Sequence, residues 1–572
     1  MPQMRAPAGA GFSVLPILRT AALGRGIPFE SLFLGAVREP PLRALAGLIQ
    51  MRVLLINPPY PVCESLTMPL GLLYVAARLE EEGHEVLLED LQLCRSPLQT
   101  VRRTLLEFNP RVVGITSFSL NLSAASRILR VAKRIDPSAI TVWGGPHVSF
   151  DDVSILKQHP AADVVVRGEG EETLAEILRT VNQNKSFENV RGATWRGGDG
   201  GVVQNPPRPF REDLDQLPRP AWHLLKLSQY RAFGDGASLI TSRGCPHRCL
   251  FCVGRKMIGA KGRFRTPELV VDEMESLVAL GFRRLRIEDD LFTFRRDRAL
   301  AICREIARRG LEFKWRAYSR VDTVDPELLH SMKKTGCERL LFGAESGSEE
   351  ILKKIRKGIT PAQTTRAVEM ARDAGIGVLA SFVLGLPGET RETLRQTLDF
   401  AASLRVPYTL NLLTPYVGTE IREHAEDWGI RMTSDDWNRY GQGHALTSTP
   451  SVTPWHLRRA VGEYRRGIRE YLEILLEKEK SGSLSSGEEA GLKQNRYWAF
   501  LRKMIGDRIL EKYGALVPEV SKKESLDHLV KAIAPHLKMP STQVRNLIAP
   551  LIDEGLIALL PARAGAQHWA WS

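Results

Sequence analysis

Three cysteines, Cys245, Cys249 and Cys252, stand within the stretch Ser242-Arg243-Gly244-Cys245-Pro246-His247-Arg248-Cys249-Leu250-Phe251-Cys252. Soft thiolates gathered on one loop select iron–sulfur clusters, zinc or copper. Structural zinc wants four ligands, usually as two separated pairs, and no second cysteine pair accompanies this one. His247 lies inside the loop, where its geometry as a fourth ligand is awkward. A redox Cys-x-x-Cys usually opens a helix in a thioredoxin-like domain and would leave Cys245 without a role. Three cysteines on a four-iron cluster leave one iron without a protein ligand, and an open position is what a catalytic metal needs. The remaining cysteines, Cys63, Cys94, Cys303 and Cys337, are scattered. Cys303 in a helix and Cys337 at the amino end of a strand read as core residues. Seven cysteines in 572 residues are no disulfide framework and point to a reducing, cytoplasmic setting.

The elements that must hold this loop repeat strand then helix. Strands are expected over residues 238–241, 284–288, 313–318, 339–343, 380–384 and 408–413, with helices between them over stretches such as 267–280 and 391–404. Six such units describe a partial parallel (βα)6 TIM-like barrel, in which functional residues gather at strand carboxyl ends. Those ends are polar here: Glu288-Asp289-Asp290, Ser319-Arg320, Gly343-Ala344-Glu345-Ser346-Gly347 and Gly385-Leu386-Pro387-Gly388-Glu389. Carboxylates and hydroxyls so placed are able to hold an amino group and ribose hydroxyls. For any single one, a helix cap is the plainer alternative.

Ahead of the barrel, residues 51–190 alternate expected strands (53–57, 85–89, 112–116, 140–143 and 164–167) with amphipathic segments over 71–82 and 124–135. In the latter, Ile128, Val131, Ala132 and Ile135 recur at helical spacing. The pattern predicts a Rossmann-like, doubly wound parallel sheet with right-handed crossovers, binding ligands at its carboxyl ends. Those ends read Asn57-Pro58-Pro59-Tyr60, Thr116-Ser117-Phe118-Ser119, Gly144-Gly145-Pro146-His147 and Gly168-Glu169-Gly170-Glu171. Glycines let the backbone approach a large flat ligand, and ordinary tight turns are the alternative. No Gly-x-Gly-x-x-Gly follows the first strand, which disfavours a dinucleotide. Residues 191–234 are punctuated by Gly and Pro and read as a linker.

Both halves resemble a known family. Cys-x-x-x-Cys-x-Phe-Cys resembles the defining motif of radical S-adenosylmethionine (SAM) enzymes. Asn57-Pro58-Pro59, Pro69-Leu70-Gly71-Leu72, Gly144-Gly145-Pro146-His147 and Gly168-Glu169-Gly170-Glu171 resemble the cobalamin-binding domain that precedes many of them. Residues 214–222 look like the bridge between the two, so the resemblance spans about residues 51–430. It implies a [4Fe–4S] cluster on Cys245, Cys249 and Cys252, with SAM chelating the free iron. Phe251 would lie near the adenine. Glu288 and Asp289 would face the amino group, Glu345 and Ser346 the ribose or carboxylate, and Gly385 the turn near adenine. Asn57, Pro58, Pro69, Gly71, Thr116, Ser117, Gly144, Gly145, Gly168 and Glu169 would surround the corrin. One departure concerns the lower axial ligand. The Asp-x-His-x-x-Gly motif of cobalamin mutases is missing, since none of the twelve histidines has Asp two places before it.

The activity so implied is one-electron cleavage of SAM to a 5′-deoxyadenosyl radical and methionine, hydrogen abstraction, and cobalamin-dependent methyl transfer to an unactivated carbon. A flavodoxin- or ferredoxin-type protein would supply electrons, and the substrate would be a small molecule or lipid-like. Alternatives are a radical SAM cyclase or rearrangement enzyme of the same architecture and, from another class, a redox-sensing winged-helix regulator. A methylthiotransferase would need a second set of cluster cysteines, which Cys63 and Cys94 do not supply.

Length divided by roughly 150 residues per domain gives three or four domains. Hydrophobic residues at 43% and charged residues at 25% exclude a wholly disordered chain. No run reaches about 18 uncharged apolar residues, so no transmembrane segment is expected. The net charge of +13 permits anionic partners. Residues 1–50 lack an acidic residue before Glu30 and read as a poorly ordered extension, with Met51 as an alternative start. Residues 431–572 read as mainly helical, with a flexible link over 478–488 and a small winged-helix-like unit near 523–562. Its segment 543–555 holds only Arg545 against Asp553 and Glu554. Phosphate contacts need Lys and Arg, so nucleic acid is not expected and a packing or substrate-capping module is.

Overall fold

Val53-Leu54-Leu55-Ile56 is apolar on both faces of a strand, the pattern of a parallel strand covered by helices on either side. A computed structural model of the chain describes residues 50–60, 66–441, 443–516, 522–561 and 567–572. The extension expected over residues 1–50 lies, but for Gln50, outside the described residues, as does Cys63. Strands β1 (Arg52–Asn57), β2 (Glu85–Asp90), β3 (Val112–Thr116), β4 (Ile140–Gly144) and β5 (Val164–Val166) form a parallel sheet in the order β2-β1-β3-β4-β5. Leu54 and Ile56 enter one core with Val113, Ile115, Ile128 and Leu129. Val53 and Leu55 enter the other, which continues without a break into the barrel.

The linker reading fails over residues 193–204. Strands β6 (Ala193–Arg196) and β7 (Val202–Gln204) extend the first sheet beyond β5, both antiparallel. Gly197–Gly201 is the hairpin turn, closed by Gly197 N donating to Gly201 O at 2.8 Å, with Gly200 at φ +81°. Farther on, helix Leu227–Phe233 leads into the second sheet.

That sheet comprises β8 (Ala237–Leu239), β9 (Arg284–Ile287), β10 (Lys314–Ser319), β11 (Cys337–Glu345), β12 (Gly377–Leu384) and β13 (Tyr408–Leu412). All neighbours are parallel, in the order β13-β12-β11-β10-β9-β8. This is an open six-stranded barrel, with helices such as Pro267–Ala279 and Arg391–Ser403 outside. Cys303 and Cys337 are buried among its apolar side chains.

In the carboxyl-terminal region helices Pro454–Lys480 and Ser486–Gly506 form a hairpin. The segment expected as a flexible link is its turn, braced by Lys478 Nζ to Glu488 at 2.7 Å and Arg496 to Glu479 at 2.7 Å. Helices Lys522–Leu537 and Ser541–Asp553 and the antiparallel strands Ala515–Leu516, Ile557–Pro561 and Gln567–Trp571 follow. Arg545, the basic residue of the second of these helices, is paired with Asp527. Just ahead of this unit the region docks on the first half of the chain. Arg95 N donates to Gly506 O at 3.0 Å and Trp498 Nε1 to Phe233 O at 3.0 Å. Among the described residues no helix is long and apolar enough to cross a membrane.

Candidate active site

Strand β8 runs through Ile240 and Thr241 into a short extended pair, where Ser242–Arg243 lies antiparallel to Arg263–Phe264. The cysteines sit on the excursion between the two. Gly244 opens it at φ +106°, where a Cβ would come within 2.1 Å of Lys261 O, so only glycine fits. Cys245 N donates to Gly259 O at 3.0 Å, Cys252 N to Cys249 O at 3.1 Å, and Leu250 N to Ile355 O at 3.1 Å. Gly254 N points at Cys252 Sγ from 3.4 Å, a donor suited to a thiolate. Burial raises all three thiols above their ordinary range, Cys252 to about 11, so metal binding at neutral pH would release protons. Among the described residues no three His, Cys, Asp or Glu side chains gather around a single ion position.

The strand-end groups of the barrel lie nearby, and most are engaged. Asp289, only 1% exposed, accepts from Thr241 N at 2.6 Å, Thr241 Oγ1 at 2.5 Å and Ser242 Oγ at 2.6 Å. It braces the start of the cysteine loop instead of facing a ligand, which corrects the expectation for it. Ser346 is corrected likewise: it is buried, with Oγ 2.9 Å from Thr397 Oγ1 and accepting from Ser348 N at 3.2 Å. Gly385, at φ +89°, lies under the carboxyl-terminal region, where a Cβ would meet Leu457 and Thr447. Its N–H donates to Glu389 at 2.6 Å. Burial pushes the Glu389 carboxyl up to about 8, and Glu389 Oε1 has no hydrogen-bond partner.

Two carboxylates remain at the barrel mouth. Glu288 is half-buried and held by Arg286 at 2.7 Å and Ser238 Oγ at 3.2 Å. Glu345 adopts φ +62°, a strained conformation for a side-chain-bearing residue, and pairs with buried Lys357 at 2.7 Å. Phe251 is half-buried at the edge of the core. Asp290, Arg320 and Lys357 also act electrostatically on the thiols; the first two belong to the strand ends read in the sequence, and Lys357 does not.

At the carboxyl ends of the first sheet lies a cavity of about 850 Å³, within the range of ligand pockets. Of the residues expected there, Asn57, Pro69, Gly71, Thr116, Gly144, Gly145 and Gly168 line it. A Cβ added at Gly71 or Gly168 would meet nothing within 4 Å, so these glycines open onto free space, as a cradle for a large flat ligand requires. Asn57 is oriented by its Nδ2 donating to half-buried Asp90 at 2.8 Å. Three expected residues do not face the cavity. Pro58 is buried in the wall. Ser117 is fully buried and accepts from Trp143 Nε1 at 2.8 Å. Glu169 turns toward Arg243 and Arg263, at 3.0 and 2.9 Å. His147, buried against Trp437 and hydrogen-bonded to Ser119 at 2.8 Å, is kept neutral by burial, which lowers it to about 4. It does not line the cavity.

The cavity also has walls that the sequence did not announce. Asn438, Gly441 and His444 of the carboxyl-terminal region line it, facing Tyr60 and Phe118 of the strand ends, whose ring centroids are 6.1 Å apart. Met257, in the short helix Gly254–Ile258 just beyond Cys252, lines it from the barrel side.

A doubly wound sheet with a cavity at its carboxyl ends, leading into an open barrel with a three-cysteine loop, defines a class, and the comparisons agree. Residues 62–178 match the B12 binding domain and residues 239–401 the radical SAM superfamily. An uncharacterized methyltransferase of Pyrococcus horikoshii is 35% identical over 399 residues, covering 68% of this chain and 86% of the relative. The anaerobic magnesium-protoporphyrin IX monomethyl ester cyclase of Rubrivivax gelatinosus is 32% identical over 367 residues, covering 61% and 65%. The fold is shared with the cobalamin-dependent SAM radical enzyme OxsB, solved with aqua-cobalamin and SAM, at a TM-score of 0.64 and 19% identity over 89% of this chain and 82% of that one. The chain belongs to the radical SAM superfamily, in the group that carries a B12 binding domain ahead of the radical SAM domain. It is an enzyme whose family cofactors are a [4Fe–4S] cluster, SAM and cobalamin.

Proposed function

We propose that the protein methylates an unactivated carbon of a small or lipid-like substrate. Cys245, Cys249 and Cys252 hold the cluster, and the cavity between Gly71, Thr116, Gly144 and Gly168 holds the corrin. Together these groups supply reductive cleavage of SAM and a transferable methyl group. The observation that carries the reading is that Met257, in the helix that closes the cysteine loop, shares one cavity with the strand ends of the B12 domain. A radical generated at one site must meet its target before side reactions, and a shared cavity meets that need.

The chain's own residues then position and protect. Gly254 N–H steadies the Cys252 thiolate. Asp289 fixes the entry to the loop through Thr241 and Ser242. Glu288 and Glu345, with Phe251, are the groups offered to SAM. Tyr60, Phe118 and Met257 give the cavity apolar walls that exclude water. Electrons come from a flavodoxin- or ferredoxin-type protein, and the cytoplasm is the setting. A cyclase or rearrangement activity is the second reading, favoured by the likeness to the Rubrivivax cyclase.

The test is anaerobic reconstitution with iron, sulfide and hydroxocobalamin. Formation of 5′-deoxyadenosine that vanishes in Cys245→Ala, Cys249→Ala and Cys252→Ala supports the radical reading, and a triple variant that still makes it overturns that reading. Isotopically labelled SAM methyl then decides between the two activities: label retained in product means methyl transfer, and unlabelled product means cyclisation or rearrangement.

A further inference from the structure

The loop Gly168-Glu169-Gly170-Glu171 has two faces. Gly168 and Gly170 line the cavity. The side chains between and beyond them point the other way, into the barrel. Glu169 Oε1 lies 3.0 Å from Arg243 Nη1 and 2.9 Å from Arg263 Nη1. Its Oε2 accepts from Arg211 N at 2.9 Å. Glu171 Oε1 lies 2.6 Å from Arg243 Nη2. Arg263 also donates to Arg211 O at 2.7 Å and Ile258 O at 2.6 Å, and Arg243 stacks over Tyr74 at 5.4 Å. The four charged side chains are between 3% and 13% exposed, so solvent screens them little.

Arg243 and Arg263 are register partners in the short antiparallel pair. They are therefore the two ends of the excursion that carries Cys245, Cys249 and Cys252. One glutamate of the B12 domain grips both ends, and a second glutamate reinforces the first. Ordering the glycine backbone on the cavity side thus orders the roots of the cysteine loop, and the ordering entropy is lost once for two sites.

We propose that Glu169 and Glu171 are positioning residues that couple the corrin cavity to the cysteine loop, so that filling one site favours filling the other. This rests on the cofactor placement proposed above. The test measures hydroxocobalamin affinity by absorbance titration of the full-length protein, with and without a reconstituted cluster. In the wild type, cluster loading should tighten corrin binding fivefold or more, the lower end of usual coupling between sites. In Glu169→Gln/Glu171→Gln the ratio should fall to near one, while iron content and the signal of the reduced cluster persist. Arg243→Lys keeps the charge but cannot bridge two carboxylates, so it should give an intermediate ratio and serves if the double variant does not fold. A wild-type ratio of one, or an unchanged ratio in both variants, overturns the proposal alone. A wild type that takes up no hydroxocobalamin overturns the corrin placement and the proposal with it.

Discussion

At the ends of β4 and β5 and on the helix after β1 the chain lines its cavity with glycines, whereas at the ends of β9, β11 and β12 it presents carboxyl groups that are already held. Gly71 and Gly168 would tolerate a Cβ without contact, while Glu288, Glu345 and Glu389 are gripped by Arg286, Lys357 and the Gly385 N–H. A broad ligand is met by backbone and room. A small ligand bound at a reactive metal is met by groups whose positions are fixed beforehand. The first region should therefore respond to changes in volume and the second to changes in charge.

Loss of a thiol gives the largest expected effect. Each of Cys245→Ala, Cys249→Ala and Cys252→Ala should lose bound iron on anaerobic reconstitution and drop 5′-deoxyadenosine to background, with corrin uptake reduced but not abolished. Volume comes next. Gly71→Phe, on a helix with free space ahead of it, should cut hydroxocobalamin uptake at least tenfold in an absorbance titration. Its melting temperature should change little, because a side chain at Gly71, in the first turn of the helix, meets no protein atom within 4 Å at its Cβ. If a bulky residue there leaves uptake unchanged, the contrast between the regions is broken. In the barrel, Lys357→Met should cost about 3–5 kcal/mol in chemical denaturation, since it leaves the Glu345 carboxylate buried and unpaired.

The smallest expected effect concerns pH. Glu389 is raised from its ordinary 4.5 to about 8 by burial, so between those values the folded chain keeps a proton that the unfolded chain releases. Stability contributed by this group therefore falls as pH climbs through that window. Glu389→Gln should remove the slope, so that the variant gains on the wild type in thermal melts at pH 8 relative to pH 5, by roughly 1–3 kcal/mol.

Most of the architecture was legible because parallel strands covered on both faces write themselves as unbroken apolar runs, Val53 to Ile56 being the plainest. The hairpin of β6 and β7 escaped because its strands are short and its glycine-rich turn resembles a linker. Within the site, the cysteines and the glycine ends announced themselves by type and spacing. What sequence position could not tell was facing. Side chains alternate along a strand, so Glu288 follows Arg286 toward the barrel interior, while Asp289 follows Ile287 toward the buried side and becomes a brace. In the turn after β5, where Gly168 stands at φ +72°, Glu169 is sent away from the cavity that Gly168 lines. Met257, Asn438 and His444 reach the cavity through tertiary packing, for which no local pattern exists.

Among the described residues the second sheet stays open, with β8 and β13 at its two margins. A bare margin offers its backbone to any passing chain. Along β13 the long helix Pro454–Lys480 lies as a splint: Tyr464 donates its hydroxyl to Tyr408 O at 2.6 Å, and Leu457 joins Leu384 and Leu412 in a common apolar cluster. The helix thereby acts as a guard against misassembly, and harm to it would show itself first as sticky, self-associating protein.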